Sequence, residues 1–568
     1  MSTTDYAVTG SNSNALFTLK LHRGDGMTLL AMNWKEGKPG NDFVGFAIEY
    51  REPGGNKFYP LKNMLSFPDK DGKVKKESTS TLQAPIQLFR WIHFPYNADI
   101  PGDFDYKVTP VFMGHGGELS YGEPQQCSIQ LMRQTWPGKL NVAFTRGFVS
   151  SQAFVNRYGA DAIPKLIPSE ADRGLDFKST FTREQDALAW MGFEARSEIL
   201  NLLDTAIADP HAEVKVVAYD LNMPEIVDRL VKLGKRLFII IDNSGDHGAA
   251  TSAESEAEGM LMKSAGGQVK RQHMGHLQHN KMIVVNGADT HCAVAGSTNF
   301  SWRGVYVQSN NALLLYGESV IKPFLDAFKN YWDHDSAGEF ADTDSAELIQ
   351  LPFDDLDVSL AFSPHSKDNA LLDKIGEDIG SAKSSLLYSL AFLYQTEGVI
   401  KEAIKKVTDT EGRFVYGISD KKVSGLTLQK PNGELFPVYP SEISKDLPEP
   451  FKSEPKGGGG VRMHHKFVVI DFDKPSARVY TGSYNFSKEA DTKNGENLLL
   501  IRDKRVATSY MIEALSIFDH YHFRVAQKEA KKKNEVLCLQ RPPNEEETPW
   551  WDEYWSDDIK IQDRTIFS

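Results

Sequence analysis

Three cysteines in 568 residues, Cys127, Cys292 and Cys538, stand too far apart to frame a disulfide scaffold or a cysteine-ligated metal site. Isolated thiols of this kind fit a reducing compartment or plain burial. Long hydrophobic runs are also missing. A membrane-crossing helix needs roughly 18 or more apolar residues, and the longest candidate here, Leu237–Ile241, is strand-sized. The first residues, MSTTDYAVTGSNSN, have neither the basic start nor the apolar core of a secretory signal. The expected location is therefore cytoplasmic, or outside the cell by export without a signal peptide. A basic excess is absent as well: the net charge is −13. That does not suit a protein whose affinity comes from wrapping nucleic acid, although a local basic groove can sit on an acidic protein.

The chain is long enough for roughly three domains, or for one duplicated unit with an extra module. Residues 1–135 read as all-β. Runs such as Phe43–Tyr50 and Phe104–Phe112 are rich in aromatic and β-branched residues, and Pro53-Gly54-Gly55 and Pro101-Gly102-Asp103 punctuate them. Several short strands within about 130 residues favour a β-sandwich. Trp34 and Tyr106 loosely resemble the core pair of fibronectin type III modules. Arg23-Gly24-Asp25 is read as a surface turn, not an adhesion motif.

From Leu140 strands and helices alternate, which implies a sheet with helices on its faces. The pattern predicts a strand at Asn141–Phe144, a helix near Phe193–Ile207, a strand at Val214–Tyr219, a helix at Pro224–Leu233 and a strand at Arg236–Asp242. The same order recurs. SLAF at 359–362 answers NVAF at 141–144, and the later elements are Leu371–Ile379, Leu386–Leu393, Val399–Val407 and Phe414–Ser419. The repeats are expected at 136–350 and 351–568, the second carrying a C-terminal helix and tail. The first holds about 30 extra residues near 150–185, expected as a loop or short helices.

Each repeat then reaches a histidine. His279-Asn280-Lys281 precedes an apolar strand and Gly296-Ser297-Thr298-Asn299; His464-His465-Lys466 precedes another, Asp471, and Gly482-Ser483-Tyr484-Asn485. The His-to-Asn spacing is 20 residues in one repeat and 21 in the other. Eleven residues beyond each Asn stand Asn310 and Glu496, just before NALLL and NLLLI. A bare His-x-Lys is expected about once by chance, and His365-Ser366-Lys367 is read as accidental. The composite, twice at matched places, is not.

These residue types suit phosphoryl transfer. A neutral imidazole can attack phosphorus and form a covalent phosphohistidine. A second, protonated, can give its proton to the leaving oxygen. Two lysines neutralise the phosphate oxygens, Ser and Asn add hydrogen bonds, and no metal or other cofactor is required. The paired His-x-Lys…Gly-Ser-x-Asn resembles the twin motif of the phospholipase D superfamily, over about residues 140–525. The resemblance implies two α/β/α lobes with one active site between them. It implies His279 as nucleophile and His464 as acid. Lys281, Lys466, Asn299 and Asn485 would hold phosphate, with Ser297, Ser483 and Asn310 also on the substrate. The family's aspartate after the Lys is Asp471 in the second motif but Asn286 in the first. Glu496 likewise has Asn310 as its counterpart. A carboxylate behind an imidazole favours imidazolium. On that reading Asp471 and Glu496 surround His464, the acid, and amides leave His279 neutral. An amide in the first half also resembles the tyrosyl-DNA phosphodiesterase branch.

Three other features carry rival readings. His273, His276 and His279 lie three apart, a spacing that on a strand faces opposite sides and so argues against a metal site. Gly457–Gly460 reads as a loop near the cleft. Pro549–Trp555, with three Trp, is expected to pack a C-terminal tail onto the body. The rival is contact with a lipid surface, against which Asp552 and Glu553 count where the membrane is anionic. The expected function is hydrolysis of a phospholipid phosphodiester at a membrane surface. A nuclease or DNA-end phosphodiesterase on the same residues is the alternative. A non-catalytic scaffold is the third reading, and the partner of the N-terminal module is open.

Overall fold

A computed structural model describes residues 6–74, 77–147, 154–159, 161–169, 173–393, 396, 398–419, 463–533, 535–544 and 547–568. The glycine run 457–460 lies outside them. Two compact units emerge. The described residues up to Arg133 and from Thr508 onward form one, and those of Gln134–Ala507 the other.

In the first unit the strands are β1 Ala7–Thr9, β2 Phe17–Arg23, β3 Thr28–Trp34, β4 Phe43–Arg51, β5 Tyr59–Pro60, β6 Lys62–Asn63, β7 Thr79–Ser80, β8 Arg90–His93, β9 Asp103–Met113, β10 Leu119–Tyr121 and β11 Gln125–Gln130. They make an antiparallel sheet β1-β2-β3-β8 and a second β10-β9-β4-β5, with β11 also on β9. Alternate residues of β2 and β3 (Phe17, Leu19, Leu21, Leu30, Met32) share a core with Phe46, Ile48, Phe104, Tyr106 and Val108 of the other sheet. This is the all-β module the strand pattern predicts.

The unit does not end at residue 135 of the sequence. The tail returns to it: Trp551 and Tyr554 are buried in the same core, Trp550 stacks on Phe89, and the indole N–H groups of Trp550 and Trp555 donate to the carbonyls of Phe43 and Gly37. Residues 508–568 thus group with the sandwich and not with the second repeat, which corrects the 351–568 boundary. The apolar faces of the indoles need a core, and this sandwich supplies it. Arg23-Gly24-Asp25 also departs from expectation. Arg23 and Asp25 are buried and Gly24 lies against Ile512, so the tripeptide is not a surface turn.

The second unit contains two lobes with matching sheets. The first is β12 (Leu140–Phe144), β13 (Glu213–Ala218), β14 (Leu237–Asp242), β15 (Val269–Gln272), β16 (Met282–Asn286), β17 (His291–Gly296) and β18 (Asn311–Tyr316), in the order β12-β18-β17-β16-β13-β14-β15. The second is β19 (Ile349–Gln350), β20 (Asp357–Ser363), β21 (Ser385–Leu390), β22 (Phe414–Ile418), β23 (Lys466–Ile470), β24 (Arg478–Gly482) and β25 (Glu496–Arg502), in the order β19-β20-β25-β24-β23-β21-β22. From β12 and β20 onward the two orders correspond strand for strand; each lobe adds one edge strand. Helix Glu184–Ala208 packs on β12 and β16, and Glu318–Asp333 packs across β13, β16, β17 and β18. Val155–Tyr158 and Ile163–Leu166 are short helices in the region of extra residues. Each lobe buries its own aliphatic cluster. Among the described residues no helix is long and apolar enough to cross a membrane.

The motif glycines end β17 and β24 with φ of 129° and 141°. A side chain on Gly296 would meet the Asn311 carbonyl oxygen at 2.5 Å, and one on Gly482 the Asn497 carbonyl oxygen at 2.2 Å. Only glycine lets the strand turn this tightly against its neighbour. The following serine is thereby brought to the site.

Candidate active site

The two motifs meet at the seam between the lobes. His279 and His464 sit just ahead of β16 and β23, at the mouths of central strands, and their ring centroids are 6.4 Å apart. Backbone bonds tie the seam in matched places. The amide of His464 donates to the Ser309 carbonyl at 3.1 Å, and that of Gly495 donates to the Leu277 carbonyl at 2.8 Å. Asn497, directly after Glu496, donates across the seam to the Asn280 side chain at 2.7 Å. His465 is buried between Phe144 and Phe467, away from the facing histidines.

The groups behind the histidines cross over. Nδ1 of His279 is 2.8 Å from a Glu496 carboxylate oxygen, and Nδ1 of His464 is 2.8 Å from Oδ1 of Asn310. Each lobe therefore supplies the backing group for the other lobe's histidine. This overturns the expectation that Glu496 stands behind His464. Sequence proximity misleads here, because β18 and β25 begin at the seam and the residues at their entry, Asn310 and Glu496, project across it. Ser297 and Ser483 take part in the same arrangement. Their hydroxyls donate to Asn310 Oδ1 at 2.9 Å and to Glu496 at 2.7 Å. Together with Asn310 they are engaged behind the rings, where the expectation put all three on the substrate.

Asp471 is not beside His464 either. Its Oδ1 accepts the backbone N–H groups of Lys383 and Ser384 at 2.8 Å and that of Ser385 at 3.3 Å, pinning the start of β21. Asn286, at the equivalent place, contacts His291 at 2.9 Å. The Asp-to-Asn difference thus concerns strand ends and not the two facing histidine rings. Asp471→Ala is expected to cost about 2–3 kcal/mol by removing the charged acceptor of three N–H groups, that of buried Ser385 among them. Urea unfolding measures this, and activity per folded molecule should stay close to that of the parent.

Lys281 reaches the His279 carbonyl, with its Nζ 4.6 Å from the Tyr219 ring centroid. Lys466 contacts its own histidine twice, at the carbonyl (2.8 Å) and at Nε2 (3.1 Å), with Phe392 nearby. The amide oxygens of Asn299 and Asn485 form a matched pair, buried and without hydrogen-bond partners among the described residues. Burial lowers His279 to about 4, helped by the lysines and opposed by Glu496. It holds Lys281 near 8. Burial also places His464 and Lys466 well below their ordinary values; Lys281 adds to both effects.

Two aromatic residues escaped the sequence reading. Tyr219 and Phe392 follow β13 and β21, and each packs edge-on against the histidine of its lobe, at 4.6 and 6.1 Å. Their signal was an aromatic closing the matched strand of each repeat. Also missed was His247, whose ring nitrogens lie 3.2 Å from Asp220 and 2.8 Å from Asp242. Asp242 in turn accepts the Gln278 N–H, one residue before His279, at 2.7 Å. Asp220, His247 and Glu254 converge closely enough to suggest a cation site. The chemistry argues otherwise: the carboxylates raise His247 to about 10 against the effect of burial, so the ring is itself the cation. His273 and His276 are exposed, and His279 is buried at the seam.

Comparison with known proteins agrees with the lobes. A family model described as the cardiolipin synthase, PLD-like domain matches residues 203–332 and 375–517. Phospholipase D of Rickettsia prowazekii is 46% identical over 48 residues, which is 8% of this chain and 22% of that protein. The chain thus spans under a quarter of the length of such relatives. Among solved structures, phosphatidylserine synthase of Haemophilus influenzae is 15% identical over 66% of this chain and 94% of its own, with a TM-score of 0.40. Yeast tyrosyl-DNA phosphodiesterase is 13% identical over 53% of this chain and 86% of its own, with a TM-score of 0.28. With its repeated lobes and the matching family model, this chain belongs to the phospholipase D superfamily.

Proposed function

We propose that the protein hydrolyses a phospholipid phosphodiester through a covalent phosphohistidine, with His279 as nucleophile and His464 as general acid and then base. The observation that carries this is the unequal setting of the two rings. Glu496 on Nδ1 of His279 keeps the proton there and leaves the Nε2 lone pair for phosphorus. When the P–N bond forms, the ring becomes positive and the carboxylate stabilises it. Among the described residues, Nε2 of His279 has no hydrogen-bond partner, whereas Nε2 of His464 is covered by Lys466. The roles stay as the resemblance implied, but the reason is reversed: the carboxylate serves the nucleophile and not the acid.

Lys281 and Lys466 supply positive charge for the non-bridging oxygens. Asn299 and Asn485 would add their amide N–H groups as donors to the phosphate oxygens. A phospholipid substrate is supported by the acidic net charge and by the phospholipase D relatives, which match over a short segment. The substrate would be met at a membrane surface from the aqueous side.

A substrate panel in EDTA tests this reading. It holds phosphatidylcholine and phosphatidylethanolamine with a primary alcohol present, beside single- and double-stranded DNA. Lipid turnover with transfer of phosphatidyl to the alcohol is the expected result. DNA cleavage without lipid turnover would move the protein to the nuclease reading. Inactivity on every substrate would favour a scaffold.

A further inference from the structure

The two motif lysines occupy matched places in the sequence but different chemical ones. Lys281 touches the backbone of its histidine, while Lys466 touches the ring. An ammonium only donates, so Nε2 of His464 accepts here. The Asn310 amide oxygen only accepts, so Nδ1 of His464 carries the ring proton. The resting His464 is therefore neutral, and its proton lies on the side away from a leaving group. Its surroundings keep it so: burial above all, and then Lys466, Lys281, His279 and Arg303, disfavour a second proton, and the group behind it is an uncharged amide. A general acid in this state needs a proton source within reach.

Building on the paired-histidine reading above, we infer that Lys466 is the proton source for His464, so that the second motif works as a two-membered Lys-to-His donor. In the first step the His279 Nε2 lone pair forms the P–N bond. The bond to the leaving oxygen breaks, and its electron pair stays on that oxygen. A proton passes from Lys466 Nζ to His464 Nε2 and on to the leaving oxygen. Lys466 becomes a neutral amine, His464 remains neutral, and the new charge is the imidazolium beside Glu496. In the second step water forms the P–O bond and the P–N pair returns to His279. The water proton travels through His464 back to Lys466. Burial of Lys466, together with the charge of Lys281, eases the release of its proton; Glu496 and Asp220 oppose it.

The test compares two leaving groups in the same mixed micelles, phosphatidylcholine and phosphatidyl-p-nitrophenol. An alkoxide needs a proton as it leaves, whereas p-nitrophenolate does not. Arginine keeps a cation on the phosphate but does not give up its proton. Lys466→Arg is expected to lose about 10²–10⁴-fold on phosphatidylcholine and less than about tenfold on the nitrophenyl ester, the range of a lost general acid. Lys281→Arg should lose similar factors on both. Lys466→Met, which has no donor and a similar volume, should show the same alkoxide penalty on top of a loss common to both esters. Melting curves establish that each variant folds. Equal losses on the two esters in a folded Lys466 variant overturn the inference and leave the paired-histidine mechanism standing. A wild-type protein inactive on both esters overturns the lipid reading, and the inference with it.

Discussion

His279→Ala is expected to lower turnover by on the order of 10⁴–10⁶, the scale seen when an enzyme loses its nucleophile. It should also abolish acid-labile phosphate on the protein. His279 is a small part of a seam held by many backbone bonds, so the variant should fold; a melting curve checks this. His464→Ala should behave differently. With an alkoxide leaving group it is slow at the first step. With a nitrophenyl leaving group the first step proceeds, but no base activates water, so phosphate accumulates on His279. Rapid-quench labelling and peptide mapping distinguish the two. Phosphate trapped on His464 and never on His279 would reverse the roles, and full activity of the double variant would remove the mechanism.

Glu496→Gln carries the second large effect. Gln keeps the shape and can still accept a hydrogen bond, but it removes the charge behind His279. Loss of the charged partner that orients and stabilises a catalytic imidazole is worth about 10²–10⁴ in kcat. Its sign in pH is also fixed. In the proposed mechanism His279 must be neutral to attack, and burial already lowers it to about 4, while Glu496 pulls it upward. Without that carboxylate the ring's pKa falls further. The acid limb of kcat/KM should therefore move to lower pH while the plateau drops. Asn310→Ala should cost less, because it removes an uncharged acceptor from His464. A larger loss from Asn310→Ala than from Glu496→Gln, at a pH on both plateaus, would rule out charge stabilisation as the reason for the crossed pairing.

Much of the fold was legible in the sequence. The period of β13, β14, β21 and β22, and the helices Pro224–Leu233 and Val399–Thr408, follow from local apolar spacing and from Pro at a helix start. Strand and helix order depends on short-range sterics and on which face is apolar, and both are written locally. The duplication was visible because each lobe repeats the same pattern. The glycines before Ser297 and Ser483 were visible as motif letters, but their purpose was not. Their φ values and the nearness of Asn311 and Asn497 arise only once the strands pair.

The tail shows the limit in another way. Trp550, Trp551 and Trp555 signalled a packing segment, since large indoles need burial. No local rule says which body they pack against, because contacts at long sequence separation depend on the path of the whole chain. The same holds for Arg90, whose guanidinium is shared between Asp519 and Asp563 more than 400 residues away.

The sequence by itself determined the inventory: two histidines, two lysines, two Gly-Ser-x-Asn turns, and a carboxylate in one repeat where the other has an amide. Residue types and spacings are properties of the chain. The tertiary structure decided who faces whom. A two-lobed seam exchanges the residues at the entry to β18 and β25, so Glu496 serves His279, Asn310 serves His464, and Asp471 serves a strand end. Hydrogen bonds form between groups that are near in space, and at this seam the partner on Nδ1 of each histidine lies 217 or 154 residues away.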